Sequence, residues 1–321
     1  MLFLVLVVVF LVWSCQGQFT NNPTLDPPSG AGCTLVGQSI YCIGGENRND
    51  STWIPCTNTA RRLDLADFNF ELIFTLNWTV ANSPVCTHDT VISTVQAPSN
   101  IPSVFVFGGD SNFNGTAIGY LLNPTDNSII QTITDRTNSS LYATASSAGV
   151  TLPSGNVWMF GGRNIFNVSA VGDLYTNSAS VLMYNVALNQ MSVINANTPG
   201  NATRTDHTAT LAADGSAIYI IGGLTLPVFS IDTLYQPNPT DLNIWSFNLA
   251  SSQWQALTPK LNSINIGEAR SGHTATLLPN STSILIFGGF RNTDLFGPSD
   301  YALIYDYAKN TLSDAIPNIV K

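Results

Sequence analysis

Charge is what this chain of 321 residues has least of: Asp, Glu, Lys and Arg together make up 10% of it, against the roughly one quarter usual in soluble domains. Its 11 Lys plus Arg stand against 20 Asp plus Glu, a net charge of −9. That leaves no basic footprint for a phosphate backbone and excludes nucleic acid as a partner class. Helical periodicity is also missing. No stretch sustains apolar residues at a 3.6-residue period, so the chain reads as all-β. Beyond the N-terminus no apolar run reaches membrane length. GxSxG and HExxH are absent, and so is any CxxC spacing for a thiolate metal site.

What is present begins with an apolar run over residues 2–12, followed by WSCQG. Small Cys15 and Gly17 suit the positions before a signal-peptidase cut, so residues 1–17 read as a secretory signal peptide and 18–321 as the mature chain, a single domain. The run has no basic residue at its start, which keeps a signal anchor as the other reading. Asn49, Asn77, Asn114, Asn138, Asn167, Asn201 and Asn280 each open an N-X-S/T sequon, consistent with a glycosylated protein, secreted or at the cell surface. Four cysteines remain after Cys15: Cys33, Cys42, Cys56 and Cys86. An even number in a secreted chain implies two disulfides with three connectivities. The segment CTLVGQSIYC reads as a hairpin turning at Gly37-Gln38, which sets Cys33 opposite Cys42 and leaves Cys56 for Cys86.

The main organising feature is repetition. Apolar residues run into glycine doublets at Gly44-Gly45, Gly108-Gly109, Gly161-Gly162, Gly222-Gly223 and Gly288-Gly289, at intervals of 53 to 66 residues. After each doublet comes an Asp or Asn with an apolar residue six positions later: Asp64 and Phe70, Asn123 and Ile129, Asn185 and Met191, Asn248 and Trp254, Asp306 and Leu312. Five of each alternate, so the chain consists of units near 30–80, 81–135, 136–197, 198–260 and 261–321. Each unit divides into four short strands with turn signals between them. Asp214-Gly215 carries the signature of a type I′ hairpin. The doublets suit positive φ and close backbone approach, and the Asp or Asn suits a turn in which its side chain accepts from backbone amides.

One four-stranded sheet buries too little to stand alone, so the units must stack, and radial stacking gives a β-propeller. RTDHTATL, YIIGG, WSFN and the spaced Trp254 resemble the kelch repeat, and the resemblance spans about residues 30–317. It implies a kelch-type propeller of four-stranded blades. Units four and five match closely; unit three has Ser146 where the repeat sets a histidine, and units one and two depart most. Kelch propellers usually close with six or seven blades. Either five enlarged blades close a small ring, or the chain is a truncated form of a longer protein whose open ring would make it poorly soluble.

Candidate chemistry has a structural counterpart throughout. His207 and His273 each lie 15 residues before a doublet and three after Arg204 and Arg270. Recurrence at an equivalent place marks them as blade construction. His88 is the third histidine. Galactose oxidase carries a kelch propeller, but its copper radical chemistry needs two imidazoles, two phenolates and a cysteine thioether. No Tyr-His pair occurs here, and no copper ligand carries across. The Ser-X-Asp-X-Gly-X-Thr-Trp turn of sialidase-type propellers is absent as well. Asp110, Asp173, Asp232 and Asp294 read as solvated loop acids.

The expected function is a non-catalytic module with no cofactor that binds an extracellular protein or a glycan. An extracellular copper radical oxidase or another carbohydrate-active enzyme is the alternative. Long segments after the doublets, such as 163–181 and 224–242, are expected to project from one rim, with Phe113, Phe166, Phe229, Tyr235 and Phe296 as candidate binding residues.

Overall fold

The structure, a computed structural model, describes residues 31–45, 47–49, 52–54, 57–65, 79–87, 90–97, 101–109, 117–134, 145–168, 172–177, 181–194, 199, 203–225, 229–230, 238–239, 244–262, 269–289 and 302–315. The signal segment, Cys56, His88 and the doublet-proximal acids Asp110, Asp232 and Asp294 lie outside these residues, as do Asn77, Asn114, Asn138, Asn201, Phe113, Tyr235 and Phe296.

All regular structure among the described residues is β. Five meandering antiparallel sheets follow one another along the chain. The first holds Gly32–Val36, Ser39–Ile43, Thr57–Asp64 and Thr79–Thr87, and the second Val91–Gln96, Pro102–Phe107, Ala117–Leu122 and Ile129–Thr134. The third is built from Ala148–Thr151, Val157–Phe160, Val181–Asn185 and Gln190–Ile194. The fourth comprises Thr208–Leu211, Ala217–Ile221, Ile244–Asn248 and Gln253–Leu257. The fifth holds Thr274–Leu277, Ser283–Phe287, Ala302–Asp306 and Thr311–Asp314, and departs from the expected four strands. Lys260–Leu261 joins its outer edge in parallel with Thr311 and Leu312. The linker can do this because Asn310 supplies both a carbonyl to the Lys260 amide (2.9 Å) and an Nδ2 donor to the Thr258 carbonyl (3.0 Å).

These residues divide into two compact units, one within 14–158 and 182–192, the other within 159–181 and 193–321. In the first unit, Tyr41, Ile43 and Ala60 of sheet one pack on Val104, Val106 and Leu122 of sheet two. Within the second unit, Ile221 and Ile244 of sheet four meet Ile284, Ile286, Leu303, Tyr305 and Leu312 of sheet five. Alternate β-branched and aromatic residues on sheet faces bury well against a neighbouring face, which is why one isolated sheet would not suffice.

The first strands carry Ser and Thr for a different reason. In the first unit successive first strands lie against each other, and their hydroxyls exchange hydrogen bonds. Thr34 and Thr94 hydroxyls are 3.1 Å apart, Thr94 donates to the Leu35 carbonyl (2.6 Å), and Ser93 meets Thr151 at 2.5 Å. Much of the hydroxyl content that reads as surface polarity therefore joins buried or half-buried strands.

The turns follow local chemistry. Asn123, Asn185, Asn248 and Asp306 each accept from backbone amides two or three residues on, as in Asn185 Oδ1 with the Leu188 amide at 3.0 Å and Asn248 Oδ1 with the Ser251 amide at 2.9 Å. Gly37 turns the first hairpin with φ +60° while Gln38 stays negative, the II′ pattern. Asp214-Gly215 differs from the type I′ expectation. Only Gly215 has positive φ (+71°), and the Ala212–Ala217 pair closes a four-residue loop instead. The Asp214 carboxylate accepts from the Ser216 amide (3.0 Å) and hydroxyl (2.7 Å), which holds Asp214 out of the left-handed region.

Cys33 and Cys42 face each other across the hairpin and form a disulfide. Cys86 lies in the last strand of sheet one, and its pairing with Cys56 falls outside the described side chains. Replacing Cys33 and Cys42 together by serine should lower stability by about 2–3 kcal/mol, the entropy of closing a short loop, read as a drop in the urea midpoint. An unchanged midpoint would show that the hairpin is already held by its ladder.

Candidate functional site

The repeat marks converge on the junctions between sheets. Both members of all five doublets have positive φ, between +58° and +95°, a region that only glycine enters at little cost. In the second unit the reason is visible atom by atom. The Gly162 amide donates to the Arg204 carbonyl (2.7 Å), and the Gly223 amide to the Arg270 carbonyl (2.8 Å). Each arginine side chain then turns to its own sheet: Arg204 Nη1 donates to the Gly222 carbonyl (2.9 Å), and Arg270 Nη1 to the Gly288 carbonyl (3.4 Å). One residue thus fastens two successive doublets, by its backbone to one and its guanidinium to the next. Both arginines are 1% exposed, and such burial of a cation is sustained only by hydrogen bonds of this kind.

The histidines fill the space beside these contacts. His207 is 7% and His273 4% exposed. His273 Nε2 lies 3.1 Å from the Thr208 hydroxyl on the preceding first strand. Neither ring nitrogen of His207 meets a hydrogen-bond partner within the described residues. Burial, then the neighbouring Arg204 charge, pushes the His207 pKa down to about 3; the backbone of Phe160 and Arg204 pulls the other way without reaching hydrogen-bonding geometry. Burial followed by the Arg270 charge takes His273 to about 3 as well. Both imidazoles are neutral at physiological pH, and no cluster of three potential metal ligands occurs among the described residues.

Ser146 does not hold the histidine position in sheet three. It has φ +55°, matching Asp206 at +53° and Gly272 at +61°. These are the residues just before His207 and His273, so Ser147 is the histidine equivalent. The turn after the first strand of sheet three is one residue shorter, which displaces a count taken from the doublet. Trp254 sits among aromatic rings, 5.0 Å from Phe247 and 5.9 Å from Phe160 in edge-on geometry, a packing anchor between sheets three and four.

The segments that do not recur contribute strands of their own. After the third doublet, Arg163–Val168 and Gly172–Asn177 form a hairpin, and Phe229–Ser230 from the segment after the fourth doublet pairs with it through Tyr175 and Leu174. Leu224–Thr225 pairs with Asn238–Pro239, and Asn47–Asn49 with Thr52–Ile54. The register sets Ile165, Tyr175 and Phe229 in one row across three strands, with Phe166 and Leu174 in the next. Asn167 and Asp173 pair within the hairpin, Asn49 closes Asn47–Asn49, and Asn280 is exposed at a turn with φ +54°. Sequence reasoning singles out Phe166 and Phe229 but misses their union in one sheet, because nothing local specifies pairing between segments some sixty residues apart.

A search of curated proteins finds no match. The family model of the KLHDC2/KLHL20/DRC7 Kelch-repeats domain matches residues 30–289, well over half of the chain. With five successive sheets of propeller-blade topology and glycine doublets that recur in every one of them, the protein belongs to this kelch-repeat family of β-propellers.

Proposed function

We propose that this protein is a secreted, glycosylated kelch propeller that acts as a non-catalytic module binding an extracellular protein or a glycan. The observation that supports this reading most is the small sheet formed by 163–168, 172–177 and 229–230. Blade construction does not require these segments, yet the two longest insertions are joined across successive blades, which gives a fixed platform where a slack loop would otherwise be. The recurring Arg, His and Gly residues are consumed by blade junctions, so recognition falls to what does not recur. The signal segment, the sequons and the Cys33–Cys42 disulfide support the secretory route.

Expression of the full chain in a eukaryotic secretory host should deliver it to the medium with a mass that falls by several glycans on enzymatic deglycosylation. Purified protein should then capture a ligand from panels of extracellular proteins and glycans. Replacing residues 226–237 by a Gly-Ser linker should abolish that capture while the thermal midpoint stays within a few degrees. Retention in the cytosol, or capture unaffected by the replacement, would overturn the reading.

A further inference from the structure

In the first unit a cleft of 230 Å³ opens between sheet one and the turn at 123–128 of sheet two. Its floor follows from strand register. Tyr41 faces Arg62, which faces Thr79, in one row across three strands; the next row pairs Ala60 with Ala81. Pro124, Thr125 and Asn127 form the opposite wall. That wall is fixed to the floor, since the Tyr41 hydroxyl donates to Asn127 Oδ1 at 2.5 Å and Asn127 Nδ2 reaches the Asn82 carbonyl at 3.4 Å. Asn127 can serve in this way because it sits in the left-handed region (φ +60°), where Asn is tolerated. Arg61 also lines the cleft but is buried and its Nη1 donates to the Thr59 hydroxyl, so the exposed cation at the mouth is Arg62.

The polar groups at the mouth are matched in charge. Arg62 Nε donates to the Ser39 hydroxyl at 3.1 Å, and its Nη2 lies 3.9 Å from Asp64 Oδ2, with side chains 46% and 50% exposed. At that separation and exposure the pair is a loose one, worth little by itself, and a guanidinium and a carboxylate each have more donor or acceptor sites than one such contact uses. A guanidinium beside a carboxylate gives no net field for an anion, yet it offers a donor fork and an acceptor a few ångströms apart. Adjacent hydroxyls of a polyol, each both donor and acceptor, satisfy such a pair. The Thr79 and Thr125 hydroxyls add two more polar points, and Ala81 with Pro124 presents apolar surface to ring C–H groups. The volume lies below the roughly 300–1,000 Å³ of pockets that enclose drug-sized ligands, which suits one ring. We infer that this cleft is a binding subsite for a single uncharged saccharide ring, held by Arg62 and Asp64. The inference deepens the glycan branch of the function proposed above and rests on it.

Protein-observed NMR with millimolar methyl pyranosides of the manno, galacto, fuco and N-acetylgluco series tests it, with sodium sulfate and acetate run in parallel. At least one pyranoside should shift amides at 60–64 and 123–128. Its affinity should fall about tenfold or more in Arg62→Ala and in Asp64→Asn, the loss of one hydrogen bond to a charged group. Both side chains are half exposed, so the thermal midpoint of each variant should match the parent. No shift from any pyranoside, shifts elsewhere, or a response to sulfate or acetate alone would overturn the inference. A ligand captured through residues 226–237 should bind the Arg62→Ala variant as it binds the parent, because the cleft is a separate subsite; pyranoside shifts that survive Arg62→Ala unchanged would sink the cleft while the module reading stands.

Discussion

Alanine at Gly223 should unfold this protein or leave it insoluble. Gly223 has φ +92°, and a Cβ there would lie 2.6 Å from the Thr205 carbonyl oxygen and 2.7 Å from His207 Cβ. The positive φ alone costs an L-residue about 1–2 kcal/mol, and forcing the Thr205 carbonyl and buried His207 aside adds about 1–3 kcal/mol or more. Together these approach the lower end of the roughly 5–15 kcal/mol by which domains are stable. A matched control separates the two contributions. Gly215 has φ +71°, and a methyl group placed on it would meet nothing within 4 Å, so Gly215→Ala carries the conformational cost only. Urea midpoints should fall modestly for Gly215→Ala and collapse for Gly223→Ala; equal, small losses would show that the junction opens freely and is no latch.

The second large effect is acid lability centred on the same junctions. His207 and His273 have an ordinary pKa of 6.5 that burial lowers to about 3 in the folded chain. The unfolded chain therefore binds protons that the folded chain refuses. The stability contributed by these depressed values is fully present above pH 6.5 and is lost progressively as pH falls from there towards 3. At about pH 5 the loss is about 2 kcal/mol per histidine, from a pKa unit being worth about 1.4 kcal/mol. Carboxylates such as Asp126, Asp214 and Asp306, whose pKa values are lowered first by hydrogen bonds from Ser128, Ser216 and Lys309 respectively, stay ionised through most of that window. Thermal midpoints measured between about pH 7.5 and pH 5 should fall steeply in the parent and much less in a His207→Asn, His273→Asn double variant. Direct titration by NMR supplies a check independent of how well the variant folds: imidazole resonances that move with a midpoint near the ordinary 6.5 would overturn the burial argument.

The contrast between what is legible and what is not runs along sequence distance. The hairpin pairing Cys33 with Cys42 is legible because strand register and a two-residue turn are local. Asn185, Asn248 and Asp306 are legible as turn residues for the same reason, since each bonds amides two or three residues away. Asp214-Gly215 misleads because a side-chain bond to Ser216 competes with the dipeptide preference. Ser146 misleads because a single-residue deletion in a turn is invisible to a count from the nearest glycine. His207 and His273 are recognisable as construction, but that Arg204 and Arg270 each join two doublets cannot be read, since one contact is made by backbone and the other by a side chain eighteen residues from its acceptor.

By itself the sequence determined the repeat, its five units, the strands within them and the positions that must be glycine, because periodicity and backbone sterics are written in residue type. Tertiary structure alone decided the rest. It showed which hydroxyls bridge successive first strands, that the insertions at 163–177 and 229–230 share one sheet, and that Tyr41, Arg62 and Asn127 meet around a cleft. Those arrangements depend on which distant segments find each other, and hydrogen bonds between them are selected by packing that no local pattern encodes.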